Sequence, residues 1–153
     1  MKTMVIRHLQ KNNLPELLAL YEHLHVSDAE MPSHTTAKNV WCELLGSEYF
    51  TYYGVFVNEN LVSSCTLSVI PNLTRACSPY GLIENVVTHA DHRRKGYATS
   101  LLHAAVDSAW SAGCYKVMLL SGRKDAETLR FYERAGFEPH AKQGFVVSRP
   151  ATE

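Results

Sequence analysis

The run His89-Ala90-Asp91-His92-Arg93-Arg94-Lys95-Gly96-Tyr97-Ala98-Thr99 places three cations directly before a stretch of helical periodicity. Such a junction can hold an anion. The first turn of a helix offers N–H groups without partners and about half a positive charge. Gly96 and Ala98 are small enough to let a phosphate reach the backbone, and Arg93, Arg94 and Lys95 add mobile positive charge around it. The same three cations can equally line a solvated loop. Glu84 stands among Leu82, Ile83, Val86 and Val87, where partial desolvation would raise its pKa and make the carboxylate a better base. Its plainer reading is a strand-edge carboxylate paired with a nearby Lys or Arg. Tyr132 carries a phenol that stays protonated at neutral pH and can donate to a leaving group, or else packs with Phe131 against a sheet. His89 and His140 are further candidates for a base. His89, Asp91 and His92 suggest a metal, but no more ligands cluster with them and no helix puts the two imidazoles on one face, so no metal is expected. His23 and His25, two apart on a helix, point different ways.

These residues need a scaffold, and the order of hydrophobic patterns supplies one. Met4 to Leu9 reads as a strand. Asn13-Leu14-Pro15-Glu16 reads as a helix start with Asn13 as cap, after which Leu14, Leu17, Leu18, Tyr21 and Leu24 share a face. A second helix is expected from Thr35 to Leu45, stopped by Gly46. Tyr49 to Val57 and Leu61 to Ile70 read as an antiparallel pair around the polar break Asn58-Glu59-Asn60. A loop with Pro79 and Gly81 leads to the strand Leu82 to Thr88. From Gly96, Ala98, Leu101, Leu102, Ala105, Val106 and Ala109 repeat at helical spacing up to Gly113. Lys116 to Leu120 reads as a short strand, Asp125 as the cap of a helix to Ala135, and Phe145 to Val147 as a last strand. The aromatic stretch of Trp41, Tyr49, Phe50, Tyr52, Tyr53 and Phe56 fits core packing, with the lining of a pocket as its alternative.

The whole, residues 1–153, fits one α/β domain of mixed α+β type. Fifteen Lys plus Arg balance fifteen Asp plus Glu, which argues against nucleic acid or an anionic membrane as the main partner. No apolar run suits a membrane span or a signal peptide, so a cytoplasmic location is expected. Cys42, Cys65, Cys77 and Cys114 stand far apart without a CxxC pair, as in a reducing compartment, and read as buried or incidental thiols.

VVTHADHRRKGYA, with Arg93-x-x-Gly96-x-Ala98 after a strand, resembles the acetyl-CoA-binding motif of the GCN5-related N-acetyltransferases: Gln or Arg, two residues, Gly, one residue, Gly or Ala. A second family-like block, Leu129-Arg130-Phe131-Tyr132-Glu133-Arg134-Ala135-Gly136-Phe137, follows at the right distance. The resemblance is strong from Leu82 to Phe137; before that, only element order fits. It implies a mostly antiparallel sheet flanked by helices and splayed open beside a bulge in the fourth strand. Acetyl-CoA would be the co-substrate, with its pantetheine lying in the opening as an extra strand. Val86, Val87 and Thr88 would pair with the pantetheine amides, one N–H serving the thioester oxygen, and the N–H groups from Arg94 to Thr99, Tyr97 included, would hold the pyrophosphate. Glu84 matches the family's general base and Tyr132 its general acid. Asp125 stands where the family often has a pantetheine-contacting Asn, and Thr128 where it often has Ala, so Asp125 is either that contact or only a helix cap.

The resemblance implies direct attack by a primary amine on the thioester, since neither motif contains a cysteine. The acceptor would be a small molecule or a peptide amine. Leu82-Ile83-Glu84-Asn85-Val86-Val87 is similar to the glucosamine-phosphate N-acetyltransferases, while aminoglycosides, polyamines and peptides are other acceptors in the family. The alternative is a non-catalytic acyl-CoA sensor, against which the presence of both Glu84 and Tyr132 speaks. By analogy with the family, the segment from Phe145 to Arg149 is a candidate homodimer contact.

Overall fold

The computed structural model describes residues 3–25 and 28–151, and the chain divides after Leu119 into two compact units. The larger unit is built on a five-stranded sheet with strands in sequence order: β1 Met4–His8, β2 Phe50–Val57, β3 Asn60–Ile70, β4 Tyr80–Thr88 and β5 Val117–Leu119. Neighbours from β1 to β4 run antiparallel, and β5 joins β4 in parallel. Helices α1 Leu14–Tyr21, α2 His34–Gly46 and α3 Tyr97–Ser111 complete this unit.

Local chemistry explains the element ends. Asn58 and Glu59 turn the β2–β3 hairpin with φ of 49° and 66°, the mirror-image geometry that suits the twist of paired strands. Asn13 does not cap α1 with its side chain; its Oδ1 instead accepts the Gln10 N–H at 2.9 Å and its Nδ2 donates to Glu16 at 3.0 Å, which locks the short turn Lys11–Asn13 ahead of the helix. Ser33, unremarkable in the sequence, caps α2 by accepting the Thr36 N–H.

The sheet buries both faces by alternation. Leu14, Leu17 and Leu20 of α1 and Trp41 of α2 form one core with Tyr52, Phe56, Leu61 and Val87. Across the sheet, α3 packs on β2, β3 and β4; its Leu101, Leu102, Ala105 and Ala109 are fully buried, as are Val55, Cys65, Leu67 and Ile83 of the strands. Gly81 lies inside β4 rather than in the preceding loop. A Cβ there would stand 3.2 Å from Leu67 and from Val117, so the missing side chain is what lets β5 pack closely.

Two features shape β4. Between the pairs Ser64–Val87 and Thr66–Glu84, β3 contributes Cys65 alone while β4 contributes Asn85 and Val86, a bulge with Asn85 at φ 54°. Beyond it, β5 pairs only with Gly81, Leu82 and Ile83. From Glu84 to Thr88, therefore, β4 is laddered along its β3 edge alone among the described residues. The resemblance called for an opened sheet of this kind.

The smaller unit, from Leu120 on, contains helix α4 Ala126–Arg134, capped by Asp125 and ended by Gly136 at φ 98°. The strand expected at Phe145 to Val147 is not formed. Those residues are 89%, 78% and 96% exposed and have no ladder partner among the described residues. Their β-branched composition favours an extended chain, but a strand exists only where a neighbour accepts its hydrogen bonds.

Candidate active site

The larger unit brings the β4 bulge and the basic loop together on one continuous strand, turn and helix. Glu84 is the last β4 residue before the bulge, directly across from Thr66. It is exposed, so the flanking apolar side chains do not bury the carboxylate as the sequence reading expected. The bulge is the reason: Ile83 packs under α3 and Val87 joins the α1 core, while Glu84 and Asn85, where the strand bends away from its ladder, stay exposed. Thr66 meets the phenols of Tyr21 and Tyr52 from the same side. Burial pushes both phenols up, which keeps them protonated, and the Thr66 hydroxyl tempers the rise.

The end of β4 is held from the β3 side. The Ser63 hydroxyl donates to the Val87 carbonyl at 2.8 Å and lies 2.8 Å from Thr88 Oγ1, and the His89 N–H donates to the Val62 carbonyl at 2.9 Å. Val86, Val87 and Thr88 thus present backbone in a fixed position, with the Val87 side chain in the core.

The loop between β4 and α3 departs from expectation in its cations. Arg93 is not mobile: its Nε donates to the Thr88 carbonyl and its Nη2 to the His23 carbonyl, both at 3.2 Å, joining the end of β4 to the turn after α1. The Lys95 ammonium donates to the Asp91 carbonyl at 2.7 Å. A long cation beside orphan carbonyls satisfies them before it reaches into solvent. Arg94 alone of the three projects without such a bond among the described residues. The His23 and His89 rings stand 4.1 Å apart beside this join, and His89 and His92 5.6 Å apart. Nothing in the spacing of the sequence announced that contact between residues 23 and 93.

Backbone geometry here suits an anion. Arg94 and Gly96 have φ of 59° and 80°, so the chain alternates in hand before α3 and gathers N–H groups into a concave nest. No side chain caps α3 at Gly96, which leaves the first-turn N–H groups of Tyr97, Ala98 and Thr99 available.

In the smaller unit, Asp125 is a cap. It accepts the Thr128 N–H and the Thr128 hydroxyl, each at 2.9 Å, and these bonds hold its carboxyl below the usual carboxylate range. Asp125 and Thr128 therefore work as a matched pair. Tyr132 lies on the same helix, half-buried, with Phe131 at 4.8 Å and Phe137 at 6.3 Å between ring centroids. Of the aromatic stretch, Trp41, Tyr52, Tyr53 and Phe56 are core, whereas Tyr49 and Phe50 are exposed.

Comparison with known proteins agrees with this arrangement. A model of the acetyltransferase (GNAT) family matches residues 14–137. A glucosamine 6-phosphate N-acetyltransferase from Trypanosoma brucei brucei is 37% identical over 83 residues, a segment covering 54% of this chain and 54% of that protein. The matched segment thus spans about half the length of that relative. A solved structure from Agrobacterium tumefaciens str. C58 superposes with a TM-score of 0.88 at 39% identity, over 95% of this chain and 99% of the other. Glucosamine-6-phosphate N-acetyltransferase from Arabidopsis thaliana shares the fold, with a TM-score of 0.81 at 20% identity over 97% of this chain and 98% of that one. With its family match spanning most of the chain, its bulged β4 and the uncapped N–H groups of the turn before α3, this chain belongs to the acetyltransferase (GNAT) family.

Proposed function

We propose that the protein transfers the acetyl group of acetyl-CoA to the primary amine of a small acceptor by direct attack. The observation that carries this reading is the β4 edge left open from Glu84 to Thr88, which leads without a break into the N–H nest before α3. Acetyl-CoA, when bound, supplies an activated acetyl thioester. Val86, Val87 and Thr88 offer backbone groups to its pantetheine amides, and the N–H groups from Arg94 to Thr99 receive the pyrophosphate. Arg93 acts differently. Its two bonds to backbone carbonyls hold the loop in shape while its charge remains nearby. We assign Asp125 to capping α4.

Glu84 takes the proton that the amine must lose, directly or through water; its exposure lets solvent carry that proton away. Tyr132 donates the proton that the departing sulfur needs. The family match runs across both compact units, which supports a single domain for the chain. The similarity to a glucosamine 6-phosphate N-acetyltransferase favours an amino sugar phosphate as acceptor over aminoglycosides, polyamines and peptide amines.

The test is CoA thiol release from acetyl-CoA across glucosamine 6-phosphate, aminoglycosides, polyamines and peptide amines. Release that depends on one amine establishes both reaction and acceptor. Binding of acetyl-CoA without release on any amine would favour the sensor reading.

A further inference from the structure

The end of the sheet where β4 begins carries a cluster that the proposed machinery does not use. Lys116, half-buried, places its ammonium 5.3 Å from the ring centroids of both Tyr80 and Tyr115. The Arg75 guanidinium lies 5.7 Å from the Tyr115 ring, and the two tyrosine rings are 6.4 Å apart. Two cations thus converge on one pair of phenols. Among the described residues no carboxylate lies within ion-pair distance of either cation. A partly buried cation such as Lys116 is ordinarily paired with an acid, while Arg75 is exposed. Here aromatic faces hold them instead, which positions the charge and leaves the N–H donors available.

The backbone fixes this arrangement. The Lys116 carbonyl accepts the Gly81 N–H at 2.9 Å, and the Tyr115 N–H donates to the Pro79 carbonyl at 3.0 Å, so Lys116 is docked beside Tyr80. Arg75 is presented by an unusual turn in which Arg75, Ala76 and Cys77 are all left-handed, with φ from 55° to 59°. Each such residue costs about 1 to 2 kcal/mol. Asn72 braces the turn: its Nδ2 lies 2.8 Å from Thr74 Oγ1, 3.1 Å from the Thr74 carbonyl and 3.4 Å from the Ser78 carbonyl. Strain of this kind collects where a side chain must be aimed.

The cluster shares a sheet face with Glu84. Tyr80, Leu82 and Glu84 alternate onto one side of β4, opposite Ile70, Ser68 and Thr66 of β3. None of Tyr80, Leu82, Ser68 or Ile70 is fully buried, and Phe50, across from Ser68, is 38% exposed. Gly81 and Ile83, on the opposite face, are sealed under α3. An open strip therefore runs from Glu84 to Tyr80, about 13 Å at roughly 3.3 Å per residue. Its ends are a carboxylate and a pair of cations.

We propose that Arg75 and Lys116, framed by Tyr80 and Tyr115, form an anion subsite that receives the phosphate monoester of the acceptor while its amine lies at Glu84. Two positive charges with several donors match a phosphate dianion better than a single carboxylate. This assignment rests on the acetyl-transfer reading, so its test has one arm that does not depend on turnover.

In the binding arm, inorganic phosphate is titrated into the ¹⁵N-labelled protein, and into the Arg75→Gln/Lys116→Met double variant, and followed by NMR. Shifts centred on Tyr80, Tyr115 and Lys116 that vanish in the variant are expected. Separate shifts at the N–H groups before α3 are expected from the pyrophosphate site, but no shifts at Tyr80, Tyr115 and Lys116, or shifts there that persist in the variant, overturn the subsite. In the kinetic arm, the ratio of kcat/KM for glucosamine 6-phosphate over glucosamine is measured. Each single variant should lower that ratio about tenfold or more, as expected for the loss of a charge-assisted hydrogen bond. An equal loss on both amines refutes the phosphate role although acetyl transfer stands. Localised phosphate binding in a protein that acetylates no amine would instead sink the activity and keep the subsite.

Discussion

The residues that matter most are those whose chemistry and position agree. Tyr132→Phe removes the proposed donor and keeps the ring, so kcat should fall about a hundredfold while acetyl-CoA affinity, read by calorimetry, barely moves. An unchanged turnover would remove the assignment of Tyr132 as acid. Glu84→Gln should flatten the rise of rate with increasing pH; a retained rise would point to a histidine or to ionisation of the amine itself. The thiols offer a check of another kind. Burial pushes the Cys65 thiol up to about 12 and raises that of Cys114 as well, while Cys42 and Cys77 are exposed. A disulfide reagent at pH 8 should therefore label two of the four cysteines quickly and the other two only on unfolding, because only the thiolate reacts. At this scale the sequence was legible where local chemistry fixes a position, as at the helix start after Gly96 and the cap at Asp125. It was misleading where orientation decided: Glu84 sits in an apolar stretch yet faces solvent, and Arg93, read as mobile charge, is fixed to two carbonyls.

Elements were legible in proportion to their periodicity. The faces of α1 and α3, the β2–β3 hairpin and the stop at Gly136 all follow from local pattern and turn chemistry. Two failures have a common cause. Phe145 to Val147 looked like a strand because propensity is local, but pairing is not; Gly81 looked like loop because its close packing against Val117 is set by a distant element, whereas Pro79 does lie in the loop. The left-handed turn at Arg75 to Cys77 contains no glycine, so nothing in its composition signalled it. It should respond to relief. Ala76→Gly removes one steric penalty of about 1 to 2 kcal/mol at the expense of glycine's chain entropy, for a net gain of roughly 0.5 to 1 kcal/mol. A denaturation midpoint that falls instead would show that the turn is not strained.

For the molecule as a whole, element order did more than any single residue to reveal the fold, since before Leu82 no motif was available. What order could not disclose is that the bend of β4 at the proposed cofactor edge comes from one surplus residue. Cys65 faces both Asn85 and Val86, yet Thr66 still meets Glu84 and Ser64 still meets Val87. Deleting Asn85 would therefore leave every other β3–β4 partner where it is, and the core would hardly register the loss. Only the bend would go. The deletion variant should unfold within a few degrees of the parent and no longer take up acetyl-CoA; retained uptake would mean that the bulge does not open the edge. Viewed as heredity rather than mechanics, the proposed reading makes position 85 a place where a single lost codon would convert a cofactor-binding protein into an inert but well-folded one, and where a single gained codon in a plain antiparallel sheet could have done the reverse.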